Sequence, residues 1–171
     1  MNKVGVKGEY NFNFKIFTMF DVFDVNIKNT NLITNEGMRF FLQRWYKTNY
    51  DYIIYGIGVG KSSTEVNRTD TSLGIPMQHL DDRGNPTYFY ELDENDDESI
   101  TLLSDEYGVK MMINATSNDI ASSREIGVFA KNSNDETILL SHDVHDEYDL
   151  PSNTNLKIEY IFKLTNEKQG V

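Results

Sequence analysis

The sequence predicts a mainly β protein: an antiparallel β-sandwich of about eight strands with one packed α-helix over residues 35–47. Three observations lead there. Apolar and polar residues alternate with period two in several short runs bounded by turn residues. Helical periodicity stands out once. The chain also holds 18 asparagines and only 3 alanines, a bias against helix and towards turns and strands. At 171 residues it suits a single domain over 1–171, long enough to bury roughly 68–70% of its unfolded surface without disulfides.

The N-terminal run places Val4, Val6, Tyr10, Phe12, Phe14 and Ile16 on one face and Lys3, Lys7, Glu9, Asn11, Asn13 and Lys15 on the other. Alternation of this length is a half-buried strand. Phe23, Val25 and Ile27 continue it in a second strand after a turn or bulge at 19–21, so residues 1–28 form a β-ribbon, a candidate assembly element. Met38, Phe41, Leu42 and Trp45 then recur at i, i+3, i+4 and i+7, opposite Arg39, Gln43 and Arg44. Thr34 or Asn35 can cap this helix, and Glu36 suits its positive end. Its apolar stripe is expected to cover a sheet.

Residues 52–59 read as a buried strand ending in glycines, followed by a polar connection over 60–72. Turn chemistry at Asp81, Asp82, Gly84, Asn85 and Pro86 marks 78–98 as a long loop or irregular hairpin, with a short strand near 87–92. Further strands are expected at 100–103, 109–113, 125–130, 137–144 and 156–164. A tight turn at 132–136 makes 125–144 a hairpin.

Charge and composition narrow the function. Of the formal net charge of −11, residues 1–90 carry 10 basic and 9 acidic groups, while residues 91–171 carry 6 and 18. Such a surface repels phosphate backbones and anionic membranes, so direct sequence-specific nucleic-acid binding is not expected. No apolar run reaches the 18 or so residues of a membrane span, and the start lacks the layout of a signal peptide; no membrane insertion is expected. The absence of cysteine removes thiolate nucleophiles, iron–sulfur clusters and cysteine-ligated zinc.

No motif for chemistry survives inspection. Gly56-Ile57-Gly58-Val59-Gly60-Lys61-Ser62 ends like a phosphate-binding loop, but the required first glycine falls on Tyr55, and the third glycine of a dinucleotide fingerprint falls on Lys61. His142 and His145 leave opposite faces of one strand, so with Asp143 and Asp146 they make a poor metal set. Of the three histidines, these two and His79, the expectation is an edge or partly buried ring and a solvated one. Asp93, Asn95 and Asp97 have calcium-loop spacing, but Glu98 stands where glycine is needed. Catalytic, metal and cofactor residues are therefore expected to be none, and the protein is not expected to be an enzyme.

Four segments remain: Asn31-Leu32-Ile33-Thr34-Asn35-Glu36-Gly37-Met38, Tyr55-Gly56-Ile57-Gly58-Val59-Gly60, Asp70-Thr71-Ser72-Leu73-Gly74 and Ser123-Arg124-Glu125-Ile126-Gly127-Val128-Phe129. In this order they resemble the small β-rich virion proteins of tailed bacteriophages, in particular the amino-terminal domains of tail-collar and tail-fibre proteins and related short tail, baseplate or neck components. That family shows N-L-I-T-N-x-G-L, I-G-x-G, D-T-x-L and R-E-x-G-L-F segments, and here Met38 and Val128 replace leucines. The likeness spans about residues 29–164; residues 1–28 and 78–98 lie outside it.

The resemblance implies a non-enzymatic structural protein of the virion, assembled in the host cytoplasm, whose partners are itself and other virion proteins. With no long shaft after the domain, it implies a compact adaptor, ring or baseplate subunit over a receptor-binding fibre. Interface candidates are Tyr10, Phe12, Phe14 and Phe23 on the ribbon and Tyr88, Phe89 and Tyr90 in the long loop. The alternative is a carbohydrate- or receptor-binding sandwich, with Tyr88, Phe89 and Tyr90 stacking on sugars beside carboxylates.

Overall fold

A computed structural model describes residues 3–17, 22–46, 50–81, 83–93, 96, 98–103, 108–147 and 152–167; for 3–31, 45–46 and 163–167 it describes the backbone course alone. The strands are β1 (Lys3–Phe17), β2 (Val22–Ile33), β3 (Ile53–Gly60), β4 (His79–Leu80), β5 (Pro86–Thr87), β6 (Tyr90–Glu91), β7 (Ile100–Leu103), β8 (Gly108–Thr116), β9 (Glu125–Lys131), β10 (Thr137–Val144) and β11 (Asn155–Glu167). The helices are α1 (Asn35–Tyr46) and the four-residue α2 (Ser117–Ile120). Eight strands have four or more residues, as the alternation predicts. The short strand expected near 87–92 is present as β6, with β5 ending at its start, while β4 and the helix α2 are additions, too brief to leave a periodic signature.

All pairings are antiparallel, in the order β6-β3-β9-β10-β2-β1-β11-β8-β7, with β4 and β5 paired separately. The long strand β2 is the hinge of this order. Its Val22–Asn31 stretch pairs with β1, whereas Leu32 and Ile33 pair with His142 and Ser141 of β10. The two halves of the sheet fold face to face across it. Ile57, Val59, Ile126, Val128, Ala130 and Leu140 from one half share a core with Met111, Ile113, Leu156, Ile158, Tyr160 and Phe162 from the other. Inside that core Tyr160 is fully buried, and its hydroxyl is hydrogen-bonded to Ser141 Oγ, joining the two layers.

The hairpin expected at the N-terminus is present. Phe12 pairs with Ile27, Phe14 with Val25 and Ile16 with Phe23, so the apolar positions share one face. The expected turn at 19–21 lies outside the described residues. No described helix is long and apolar enough to cross a membrane.

The α1 helix begins where the sequence places it. The Thr34 carbonyl accepts from Met38 N at 3.0 Å and Thr34 Oγ1 accepts from Gly37 N at 2.9 Å, which makes Thr34 the N-cap. The same hydroxyl donates to the Leu139 and Leu140 carbonyls of β10. The buried face differs from the expected stripe: Phe40 is 5% exposed, and Leu42 is 51% exposed. The reason is Gly37, whose missing Cβ lets the helix backbone sit against the Leu140 carbonyl and turns Phe40, three residues on, into the core. Phe41 lies edge-on to Phe162 at 5.5 Å.

Candidate functional site

The outer face of the β3-β9-β10 layer carries the densest polar structure among the described residues. Register puts Gly60 opposite Glu125 and Gly58 opposite Gly127, with His142 of β10 across from Gly127. Glycines make this face nearly flat, and the chain after β3 folds back over it. Lys61 N donates to the Ile75 carbonyl at 2.9 Å, and Met77 N donates to the Val59 carbonyl at 2.9 Å. A Cβ at Gly58 would stand 3.0 Å from the Phe129 ring and 3.3 Å from Leu73; one at Gly127 would stand 2.7 Å from Leu139 and 3.0 Å from the Ser141 carbonyl. The glycine run after position 55 is thus a packing surface for the returning loop.

Glu125 holds that loop down. Its side chain is completely buried, and its carboxylate accepts from Ser62 N at 3.0 Å, Ile75 N at 2.8 Å, Gly74 N at 2.9 Å and His142 Nε2 at 3.0 Å. The other ring nitrogen, His142 Nδ1, lies 2.8 Å from Asp70 Oδ2, which also accepts from Asn67 N at 2.8 Å. Asp70, Gly74, Glu125 and His142 come from three distant parts of the chain and close into one clasp.

The electrostatics follow from this geometry. Burial alone would raise the Glu125 carboxyl, but hydrogen bonds from His142 and the three backbone amides outweigh it and draw the group down to about 2. Burial likewise opposes charge on His142, and its bonds to Glu125 and Asp70 prevail, so its pKa is raised. The imidazolium form donates from both nitrogens, which suits a ring between two carboxylates. With both nitrogens engaged, this His is not placed to activate a hydroxyl: Ser62 meets Glu125 through its backbone N–H, and its Oγ accepts from Thr64 N at 3.1 Å. The network's chemistry is ionic clamping of residues 62–75 onto the sandwich.

The four segments singled out in the sequence converge here. Thr34 ties α1 to β10; Asn35 N donates to the Arg68 carbonyl at 2.7 Å; Gly60 abuts Glu125; Asp70 and Gly74 bind the clasp. Arg124 and Glu125 leave opposite faces as alternation requires, Arg124 being exposed and paired with Glu147 at 2.8 Å. The residue that sequence reasoning missed is His142. Neither it nor His145 is solvated, contrary to expectation: both are buried, and His145 Nδ1 bonds the Asp146 carbonyl at 2.8 Å with its pKa lowered by burial. Its one sequence-level signal was a histidine flanked by buried strand positions.

Among the described residues no group of three or more histidine, aspartate or glutamate side chains is arranged around a metal position. Asn95 and Asp97 of the calcium-like spacing lie outside the described residues. Of the loop aromatics, Tyr88 is exposed, Phe89 packs edge-on against Tyr55 and Phe129, and Tyr90 is buried beneath His79. The side chains of Tyr10, Phe12, Phe14 and Phe23 lie outside the described residues, though their register positions in the β1–β2 ribbon are given above. No protein-family model, curated protein or solved structure matches this chain.

Proposed function

We propose that the chain is a non-enzymatic structural subunit of a tailed-phage particle, at the tail, baseplate, neck or fibre-anchoring adaptor. In this reading it acts through contacts with further copies of itself and with other virion proteins. The observation that carries the assembly role is the β1–β2 arm. Among the described residues, Tyr10–Phe17 and Val22–Asn29 pair only with each other, in eight cross-strand positions, after β1 has left β11 at Glu9. At about 3.4 Å per residue the arm reaches about 27 Å.

A two-stranded ribbon is marginal in water by itself, and open strand edges invite pairing. This one has Phe12, Phe14, Ile16, Phe23, Val25 and Ile27 at register positions of one face. A neighbouring subunit that adds a strand or covers that face supplies what the ribbon lacks. The virion setting is supported by the four-segment resemblance, whose residues meet in a clasp that serves architecture.

Light scattering on the full chain at micromolar concentration is expected to give a closed oligomer, and mass spectrometry of purified particles is expected to find the chain in fixed multiple copies. A monomer at all concentrations together with absence from the particle would overturn the reading. The alternative, a carbohydrate- or receptor-binding module, is weaker, because Tyr88 alone of the three consecutive rings is exposed; a glycan array with a specific signal from a monomer would favour it.

A further inference from the structure

The large sheet has two ends, and they are built differently. At one end β6 is two residues long and carries the charge of Glu91, both of which guard an edge against pairing. At the other, β7 pairs with β8 through Ile100–Leu103 and, among the described residues, has no strand on its far side. The segment Ser99-Ile100-Thr101-Leu102-Leu103-Ser104 holds no charge, glycine or proline to blunt that edge.

Its backbone is open as well. Ser99 turns its carbonyl to β8, accepting from Met112 N at 2.8 Å, so by alternation Ile100 and Leu102 face away from β8. Ile100 N donates to the Asp96 carbonyl at 3.1 Å, which leaves the Ile100 carbonyl and the N–H and C=O of Leu102 along the edge without a described partner. The Leu102 side chain is 76% exposed, more than any other large apolar side chain among the described residues. It shares a face with Ile100, which packs against the core.

Charge decides what can pair there. In the sequence the segment is flanked by Asp93, Glu94, Asp96, Asp97 and Glu98 before it and by Asp105 and Glu106 after it. A second copy added antiparallel about a two-fold axis would set positions 97–98 against 105–106, like charge opposite like. The arm of a second copy suits it little better, since Tyr10–Phe17 and Val22–Asn29 carry only Lys15 and Lys28 against Asp24. Lys157 lies 3.9 Å from Glu98 but leaves that carboxylate 80% exposed.

We infer that the β7 edge takes an extended strand of another protein, apolar at the alternate positions beside Ile100 and Leu102 and basic at both ends. Main-chain hydrogen bonds add the strand to the sheet. Residues directly across from Ile100 and Leu102 share their face, so apolar side chains there cover Leu102 while lysines or arginines beyond them meet the acidic flanks. The charges that bar a second copy thus select a basic strand. This surface is separate from the arm, and its test does not depend on oligomer formation.

Fluorescence anisotropy on the full chain with a labelled peptide, Lys-Thr-Val-Thr-Val-Thr-Lys, tests this. Saturable binding is expected, and replacing both lysines of the peptide by glutamate should abolish it. Methylating the backbone nitrogen of the first valine removes a main-chain donor and should weaken binding about tenfold. Leu102→Lys, an edge charge, should weaken it about tenfold and leave the unfolding temperature unchanged, because that side chain is already in water. Leu42→Lys, at an exposed leucine of α1, should bind as the wild type does. No saturable binding, equal binding of the glutamate or methylated peptide, or wild-type affinity in Leu102→Lys would overturn the inference. An oligomer that Leu102→Lys disperses, with no peptide bound by the wild type, would overturn it in favour of a second copy on this edge.

Discussion

Glu125 shows how one side chain decides the state of a loop. A buried carboxylate without donors would be driven to protonate; this one stays ionised because four N–H groups point at it. Glu125→Gln puts an amide NH₂ against some of those donors and is expected to cost about 3 kcal/mol in denaturant unfolding. The pH dependence has a definite sign on each side. Glu125 is lowered from 4.5 to about 2, so its contribution is present above about 4.5 and lost as pH falls towards 2. His142 is raised, so its contribution is complete below about 6.5 and lost as pH rises through its folded pKa. Unfolding free energy measured against pH should therefore decline on both sides of a plateau at pH 4.5–6.5, and His142→Gln should abolish the alkaline decline. The two shifts describe one shared interaction and do not add. None of this was legible along the chain: Glu125 and His142 meet only through the β9–β10 register, and Asp70 is 72 residues from His142.

At the scale of elements, alternation located the main strands, because a half-buried strand must repeat every two residues whatever it packs on, but it ended β2 near Ile27, short of the Leu32–Ile33 stretch that pairs with β10. The helix was located equally well through its cap and periodicity, but not the rotation of its face. Leu42 had the right spacing and points to water; Phe40, outside that spacing, is in the core. The choice belongs to Gly37, which sets the contact line between α1 and β10. Phe40→Ala is accordingly expected to cost about 3–5 kcal/mol, and Leu42→Gln less than about 0.5 kcal/mol, both read from chemical denaturation. Equal effects would mean the helix docks through its other face. The outer glycines make a parallel case: Gly127→Ala pushes a Cβ onto Leu139 and the Ser141 carbonyl and should destabilise by about 1–3 kcal/mol.

For the molecule as a whole, the consequence lies in separating what folds it from what is left over. The clasp is satisfied internally, while the β1–β2 arm runs beyond its sheet partners. Phe12→Asp combined with Phe14→Asp should shift the oligomer towards monomer in light scattering and leave the unfolding free energy of the sandwich within about 0.5 kcal/mol, since those positions lie past the β1–β11 pairing. The acidity of the second half gains a location in the same way. Of its carboxylates, Glu91, Asp93, Asp96, Glu98 and Asp119 gather round one cleft, while Glu125 is consumed inside the clasp.

The sequence by itself determined the class of fold, the positions of its main strands along the chain, the single long helix and the ribbon, because periodicity and turn chemistry are local consequences of side-chain direction and backbone sterics. Only the tertiary structure decided that four separate segments are one clasp, that His142 is its hub, which face of α1 is buried, and that Tyr90 lies at the floor of an acidic cleft. Those outcomes depend on sheet register and on the approach of segments far apart in the chain, and neither is recorded in the spacing of residues along it.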